Sequence, residues 1–278
     1  MKVVLFCGGL GTRLREHSDT IPKPLVNVGY RPILWHLMRY YAYYGHKDFI
    51  LCLGYRGDLI KEFFRNYNEC LSNDFVMRQG GKDIELLSSD IEDWTITFVD
   101  TGLHGNIGQR LLAIEKYLEG EEIFLANYSD GLSDLDICKY INLARERDAI
   151  ASLVSIRTQQ SFHSVSTGPN GLVTNIGGVR DSDFWINGGF FLLKKEIFDY
   201  INEGEDLVEE PFRRLIDKKQ LYAYRHQGYW ACMDTFKDKI NFDRMYARGN
   251  APWEVWNKGK GDPVGGKIEK IPQLMDIS

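Results

Sequence analysis

With 278 residues, 44% of them hydrophobic and 26% charged, the chain has the balance of a soluble globular protein and enough apolar material for one large α/β domain. Its formal net charge of -5 offers no global attraction to nucleic acid or an anionic membrane, so any polyanion must be held by a local site. Cys7, Cys52, Cys70, Cys138 and Cys232 are scattered singly, which disfavours a zinc site or a disulfide framework and points to reduced thiols and a cytoplasmic setting.

The first predicted element is a strand, "VVLFC", a continuous apolar run of parallel-strand type. The run is too short for a signal sequence or a membrane span. "GGLGTRL" ends it. "PILWHLMRYYAYYG" reads as a helix, with Ile33, Leu34, Leu37, Met38 and Tyr41 at helical spacing and Gly45 as its stop. A second strand, "KDFILCLG", precedes the amphipathic helix "GDLIKEFFRNY", for which Asp58 is the expected N-cap. "WTITFVD" is a third strand and "GQRLLAIEKYL" a third helix. The strand "EIFLANYSDG", the helix "LDICKYINLARERD", N-capped by Asp134, and the strand "AIASLVSI" follow. This alternation predicts a Rossmann-like, mostly parallel sheet over about residues 1–155. Over about 156–257, "GLVTNIGG", "WINGGFFLLKK" and "QLYAYRHQGYWACM" read as strands of a smaller mixed or antiparallel portion, with "EPFRRLIDKK" as a helix between them. Residues 258–278, rich in Gly, Lys and Pro, are expected to form a loosely held tail.

The chemistry gathers at a few motifs. Gly8, Gly9 and Gly11 lie between a strand and an expected helix, where glycine lets backbone N–H groups approach phosphate oxygens. Thr12 and Arg13 follow directly, and Lys23 comes soon after in "PKPL". Arg13 offers a planar fork for phosphate oxygens, and Lys23 a point charge. The spacing is neither that of a P-loop nor that of a dinucleotide fingerprint. No acid ends the second strand, which disfavours a dehydrogenase.

"GGLGTRL", "PKPL", "DTG", "YSDG", "NGG" and "MDT", in this order, resemble the sugar-nucleotide nucleotidyltransferases, and in particular the glucose-1-phosphate cytidylyltransferases. The likeness covers roughly residues 1–257. It implies one nucleotidyltransferase domain of the nucleotide-diphospho-sugar transferase type, in which an acceptor phosphate attacks the α-phosphate of a nucleoside triphosphate and pyrophosphate leaves. CTP is the favoured donor over other triphosphates, and Mg²⁺ the implied cofactor, held by Asp130 and Asp234. Arg13 and Lys23 become the catalytic cations, on the leaving phosphates and on the α-phosphate. Phe6, Gly8, Gly9, Gly11, Thr12, Thr101, Arg110 and Asp130 line the nucleotide side with them. His36 and His46 are expected to be structural. The family also implies a homo-oligomer.

One motif departs from the family. A Glu-Lys-Pro clamp for the sugar phosphate normally precedes "NGG", yet no Glu or Lys stands between Val173 and Asn187. Arg180 is the cation expected to replace it, with Asp181 or Asp183 as carboxylate, and Asn187 and Gly188 retain hydroxyl-binding capacity. The expected acceptor is thus a sugar 1-phosphate such as glucose 1-phosphate, or else a non-sugar phosphate or phosphonate. A non-catalytic, nucleotide-binding regulatory paralogue is the reading from a different class.

Overall fold

The computed structural model describes residues 1–9, 21–157, 163–179 and 183–257. Gly11, Thr12, Arg13, Arg180, Asp181 and the 258–278 tail lie outside the described residues. In chain order the strands begin with β1 (Val3–Phe6), the short pair β2 (Asn27–Val28) and β3 (Arg31–Pro32), β4 (Asp48–Leu53) and the hairpin β5 (Phe75–Arg78) and β6 (Asp83–Leu86). They continue with β7 (Thr95–Asp100), β8 (Ile123–Tyr128), β9 (Gly131–Ser133), β10 (Ala151–Arg157), and the hairpin β11 (His163–Thr167) and β12 (Val173–Gly178). The last are β13 (Trp185–Asn187), β14 (Phe191–Lys194), β15 (Leu221–His226) and β16 (Trp230–Cys232). The described α-helices are α1 (Ile33–Tyr43), α2 (Gly57–Arg65), α3 (Ile107–Ile114), α4 (Ile137–Arg147), α5 (Glu210–Asp217) and α6 (Phe236–Ala247).

One mixed sheet organises the molecule. β8, β1, β4 and β7 lie side by side and parallel, as the alternating first half predicts. β14 adds antiparallel to β8 and β10 antiparallel to β14, so β10 again points the same way as β8. β15 closes the far edge, parallel to β10. Central strands are covered on both faces, which is why β1 reads as an unbroken apolar run. Its alternate residues serve two apolar layers. Val3 and Leu5 pack with α1, α4 and Trp253, whereas Val4 and Phe6 pack with α3 and α5.

The structure corrects two expected helix starts. The residue before α2 is Arg56, in the left-handed region at φ 49°, and Asp58 sits inside the first turn, where its charge favours the helix N-terminus. α4 is capped by Asp136, whose side chain accepts from the Lys139 N–H. Asp134 instead accepts from the Tyr229 N–H at 2.8 Å and faces His226. The predicted "QLYAYRHQGYWACM" strand divides at Gln227–Gly228 into β15, in the main sheet, and β16, which pairs with β9.

His36 is structural, as expected. Its ring is buried, Nε2 donates to the Val28 carbonyl at 3.0 Å, and Nδ1 accepts from Trp253 Nε1 at 3.4 Å. That pair of contacts selects the neutral ring, and burial holds its pKa down at about 4. The unfolded chain binds a proton near pH 6.5 that the folded chain refuses. Stability is therefore fully present above that pH and is lost as pH falls toward about 4, by an amount on the order of 3 kcal/mol. Urea unfolding of wild type and His36→Gln at pH 7 and pH 5 checks this: the pH-dependent loss should shrink in the variant.

Candidate active site

The chain runs from β1 outward to β4 and β7, then returns to the other side of β1 as β8. Open α/β sheets bind ligands at such a reversal, beyond the carboxyl ends of the strands. A cleft of about 390 Å³ opens there, within the range of small-molecule sites. Phe6, Gly8 and Gly9 at the end of β1 line it, with Tyr128, Ser129 and Asp130 at the end of β8. Gly105, Asn106, Ile107 and Arg110 enter from the start of α3, and Lys23, Pro24, Asp206 and Asp234 complete the described wall.

Lys23 opens a single 3-10 turn, Lys23–Leu25, flanked by Pro22 and containing Pro24, whose restricted φ angles favour the turn. Its ammonium lies 2.5 Å from Asp130 Oδ2 and 2.7 Å from Asp234 Oδ1. Burial works against the charge on Lys23, but the two carboxylates outweigh it and hold its pKa above the ordinary value. Asp234 reaches Asp130 because β16 pairs antiparallel with β9, setting Cys232 opposite Gly131, and the Met233 N–H donates to the Asp130 carbonyl at 2.9 Å. Thr235 then caps α6 reciprocally with Asp238, which fixes the backbone beside Asp234. The Cys232 thiol donates to Asp234 Oδ2 at 3.3 Å, and burial pushes its pKa up, so it stays protonated.

Two carboxylates converging on one ammonium form a cation-binding arrangement. Among the described residues no group of three or more His, Cys, Asp or Glu side chains is placed to hold a metal. Asp130 and Asp234 thus offer two carboxylates, a set that Mg²⁺ would have to complete with phosphate oxygens and water.

Arg110 is neither a solvated helix arginine nor a free phosphate hook. Only 3% exposed, it donates to the Gly8 carbonyl at 3.1 Å, the Leu53 carbonyl at 3.2 Å, the Gly102 carbonyl at 3.1 Å and Thr101 Oγ1 at 2.6 Å. One guanidinium thus ties together the loops after β1, β4 and β7. Thr101 is spent in this clamp, its hydroxyl donating to the Leu53 carbonyl at 2.8 Å, and is not part of the cleft lining. Gly8 has no room for a side chain, since a Cβ there would meet Arg110 Nη1 at 2.0 Å. Gly8→Ala is therefore expected to raise the triphosphate KM by about tenfold or more and to cost on the order of 2 kcal/mol of stability. Steady-state kinetics with a melting curve check both effects. Gly54, which sequence reasoning missed, is needed for the same reason: a Cβ there would meet the Gly8 carbonyl oxygen at 2.8 Å.

"NGG" is a two-residue offset in one long edge rather than a simple turn. β13 and β14 share the edge of β10 left free by β15, and Gly188–Phe190 bulge between them, with φ 74° at Gly189. Asn187 Oδ1 accepts from the Gly189 N–H at 2.9 Å, and its Nδ2 lies 3.4 Å from the Tyr128 hydroxyl, next to the cleft. The Gly188 carbonyl accepts from Trp230 Nε1 at 2.8 Å. Asp183 Oδ1 accepts from Trp185 Nε1 at 2.9 Å. Sequence reasoning also missed Asp206, Tyr128 and Asn127. Asn127 is buried beneath the bulge, donating to Tyr41 Oη and accepting from the Phe190 N–H. No motif marks Asp206, which reaches the cleft only through the packing of its loop.

The model of the nucleotidyl transferase family matches residues 2–247. A probable glucose-1-phosphate cytidylyltransferase of Bacillus subtilis is 38% identical over 258 residues, covering 92% of this chain and 100% of the relative. A glucose-1-phosphate cytidylyltransferase of Salmonella typhimurium is 37% identical over 257 residues, with the same coverage. Among solved structures, an apo UDP-glucose pyrophosphorylase superposes with a TM-score of 0.66 at 15% identity, over 90% of this chain and 99% of that one. HddC from Yersinia pseudotuberculosis gives 0.62 at 21% identity, over 88% and 99%. At these identities the structural likeness speaks to the fold.

Proposed function

Because the chain belongs to the nucleotidyl transferase family, we propose that it joins the cytidylyl group of CTP to a sugar 1-phosphate and releases pyrophosphate. The observation that carries this reading is the convergence of Lys23, Asp130 and Asp234 at the carboxyl ends of β1 and β8. In the step itself, an oxygen of the acceptor phosphate forms a bond to the α-phosphorus while the bond from that phosphorus to the β-phosphate oxygen breaks. Such a reaction asks for positioning and charge neutralisation more than for covalent help.

The residues divide that work. Asp130 and Asp234 would hold Mg²⁺, which when bound supplies charge neutralisation and orients phosphate oxygens. Lys23 is already charged and aimed at the same point, and donates to the α-phosphate oxygens as negative charge builds on them. The main chain at Gly8 and Gly9, kept in place by Arg110, lies against the nucleotide, and Arg13 is assigned to the departing phosphates. Asn187 and Gly188 lie on the acceptor side, beside Tyr128.

The test is Mg²⁺-dependent pyrophosphate release from CTP, UTP, dTTP, ATP and GTP, each against glucose 1-phosphate, other sugar phosphates, and non-sugar phosphates and phosphonates. CTP with a sugar 1-phosphate should lead the panel. Turnover confined to a non-sugar acceptor would replace the acceptor half of the proposal. Triphosphate binding that ignores Mg²⁺ and yields no pyrophosphate would identify a non-catalytic binding protein.

A further inference from the structure

The acceptor end of the sheet carries a cationic shelf that the step above does not use. β10 and β15 point the same way as β8, so their carboxyl ends, with Arg157 and Arg225, lie on the same edge of the sheet as Asp130. Arg157 pairs with Trp185, and Ser155 pairs with both Asn187 and Arg225. Paired residues share a face of a pleated sheet, so Arg157, Trp185, Asn187 and Arg225 all project to one side. It is the side of Ala151 and Leu153, the apolar layer that also contains Phe6 and Tyr128 of the cleft wall.

Both guanidinium groups sit on one ring. Arg157 Cζ is 5.2 Å and Arg225 Cζ 5.1 Å from the centroid of Trp185. The Trp185 Nε1–H bond to Asp183 ties the indole to its neighbouring loop. Among the described residues Arg157 has only Asp183 for a counter-charge, at 3.9 Å with both groups well exposed, a pairing of little worth. Arg225 has no carboxylate partner among the described residues. Two cations at most about 10 Å apart repel within a Debye length, and one bound anion would relieve them.

The shelf stands too far out to hold the phosphate that reacts. β10 is separated from β8 by the β13–β14 edge, two strand spacings or roughly 10 Å, whereas the reacting phosphate must come to Lys23 and Asp130. A sugar ring lying over Asn187 spans that gap. We propose that Arg157, Arg225 and Trp185 form a subsite for a second anionic group on the acceptor, a carboxylate or a phosphate at the end of the sugar remote from the reacting phosphate. This rests on the reading of the acceptor as a sugar 1-phosphate. It also fits a sequence in which no Lys or Glu stands between Val173 and Asn187. The enzyme selects its acceptor by charge at the far end, through planar forks suited to oxyanions.

The test is calorimetric titration of wild type and the double variant Arg157→Gln/Arg225→Gln with glucose 1-phosphate, glucuronic acid 1-phosphate and glucose 1,6-bisphosphate, followed by kinetics with the same acceptors. Wild type should bind at least one of the two doubly anionic probes about tenfold or more tightly than glucose 1-phosphate. The identity of that probe distinguishes carboxylate from phosphate. The double variant should bind all three alike, with its CTP KM unchanged. Equal binding of the three by wild type, or a preference that survives in the variant, overturns the subsite. The two readings fail separately. Charge-dependent binding without transfer to any sugar phosphate keeps the subsite and removes the reaction. Transfer to glucose 1-phosphate without any charge preference keeps the reaction and removes the subsite.

Discussion

Asp130→Asn and Asp234→Asn should each lower kcat by about a thousandfold or more, with melting temperatures close to wild type. Asparagine keeps the shape and one acceptor oxygen but loses the charge on which the proposed cation site depends. The expected loss is large because the two carboxylates act as a unit: Lys23 lies 2.5 Å from one and 2.7 Å from the other, so neither can compensate for its neighbour. Stability should change little, since the side chains are 24% and 39% exposed and partly exposed ion pairs contribute modestly. Pyrophosphate release and thermal melting on the same samples separate the two effects. A variant with wild-type turnover would remove that carboxylate from the reaction.

Arg110→Met should damage both fold and site. The substitution keeps helix propensity and most of the apolar stem, but it leaves the carbonyls of Gly8, Leu53 and Gly102 without their shared donor in a buried setting. The expected destabilisation is on the order of 2–4 kcal/mol, and the triphosphate KM should rise by about tenfold or more as the loop after β1 loosens. Arg110→Lys should recover only part of this, because one ammonium cannot reproduce a fork that reaches three loops. Urea unfolding with CTP kinetics reads both effects. A variant that loses CTP affinity at unchanged stability would make Arg110 a direct ligand contact rather than a clamp.

What could be read beforehand follows from which forces are local. The parallel core was readable because buried strands such as β1 and β4 carry unbroken apolar runs between glycine-rich turns. Lys23, Asp130 and Asp234 were marked by short motifs, and the structure brings the three together. The β9–β16 pairing that joins the aspartates is a long-range contact between three-residue strands, with no periodicity to announce it. The hairpin of β5 and β6 went unread because its apolar pairs, Phe75 with Leu86 and Met77 with Ile84, remain exposed and no buried face enforces a pattern. Asp134 and Asp136 both suit an N-cap by composition. The turn before β16 claims Asp134 through the Tyr229 N–H and leaves Asp136 to the helix. For Arg110 the sequence marked a nucleotide-side residue, but three carbonyls from separate loops converging on one guanidinium are visible only in three dimensions.

The most direct test of the central claim is ³¹P NMR of wild-type enzyme with Mg²⁺, CTP and a sugar 1-phosphate, either glucose 1-phosphate or glucuronic acid 1-phosphate. The account predicts matched growth of a sugar-nucleotide diphosphate signal and free pyrophosphate, and none of either when Mg²⁺ is chelated. CDP and inorganic phosphate as products, or CTP left intact with every sugar phosphate, would contradict it.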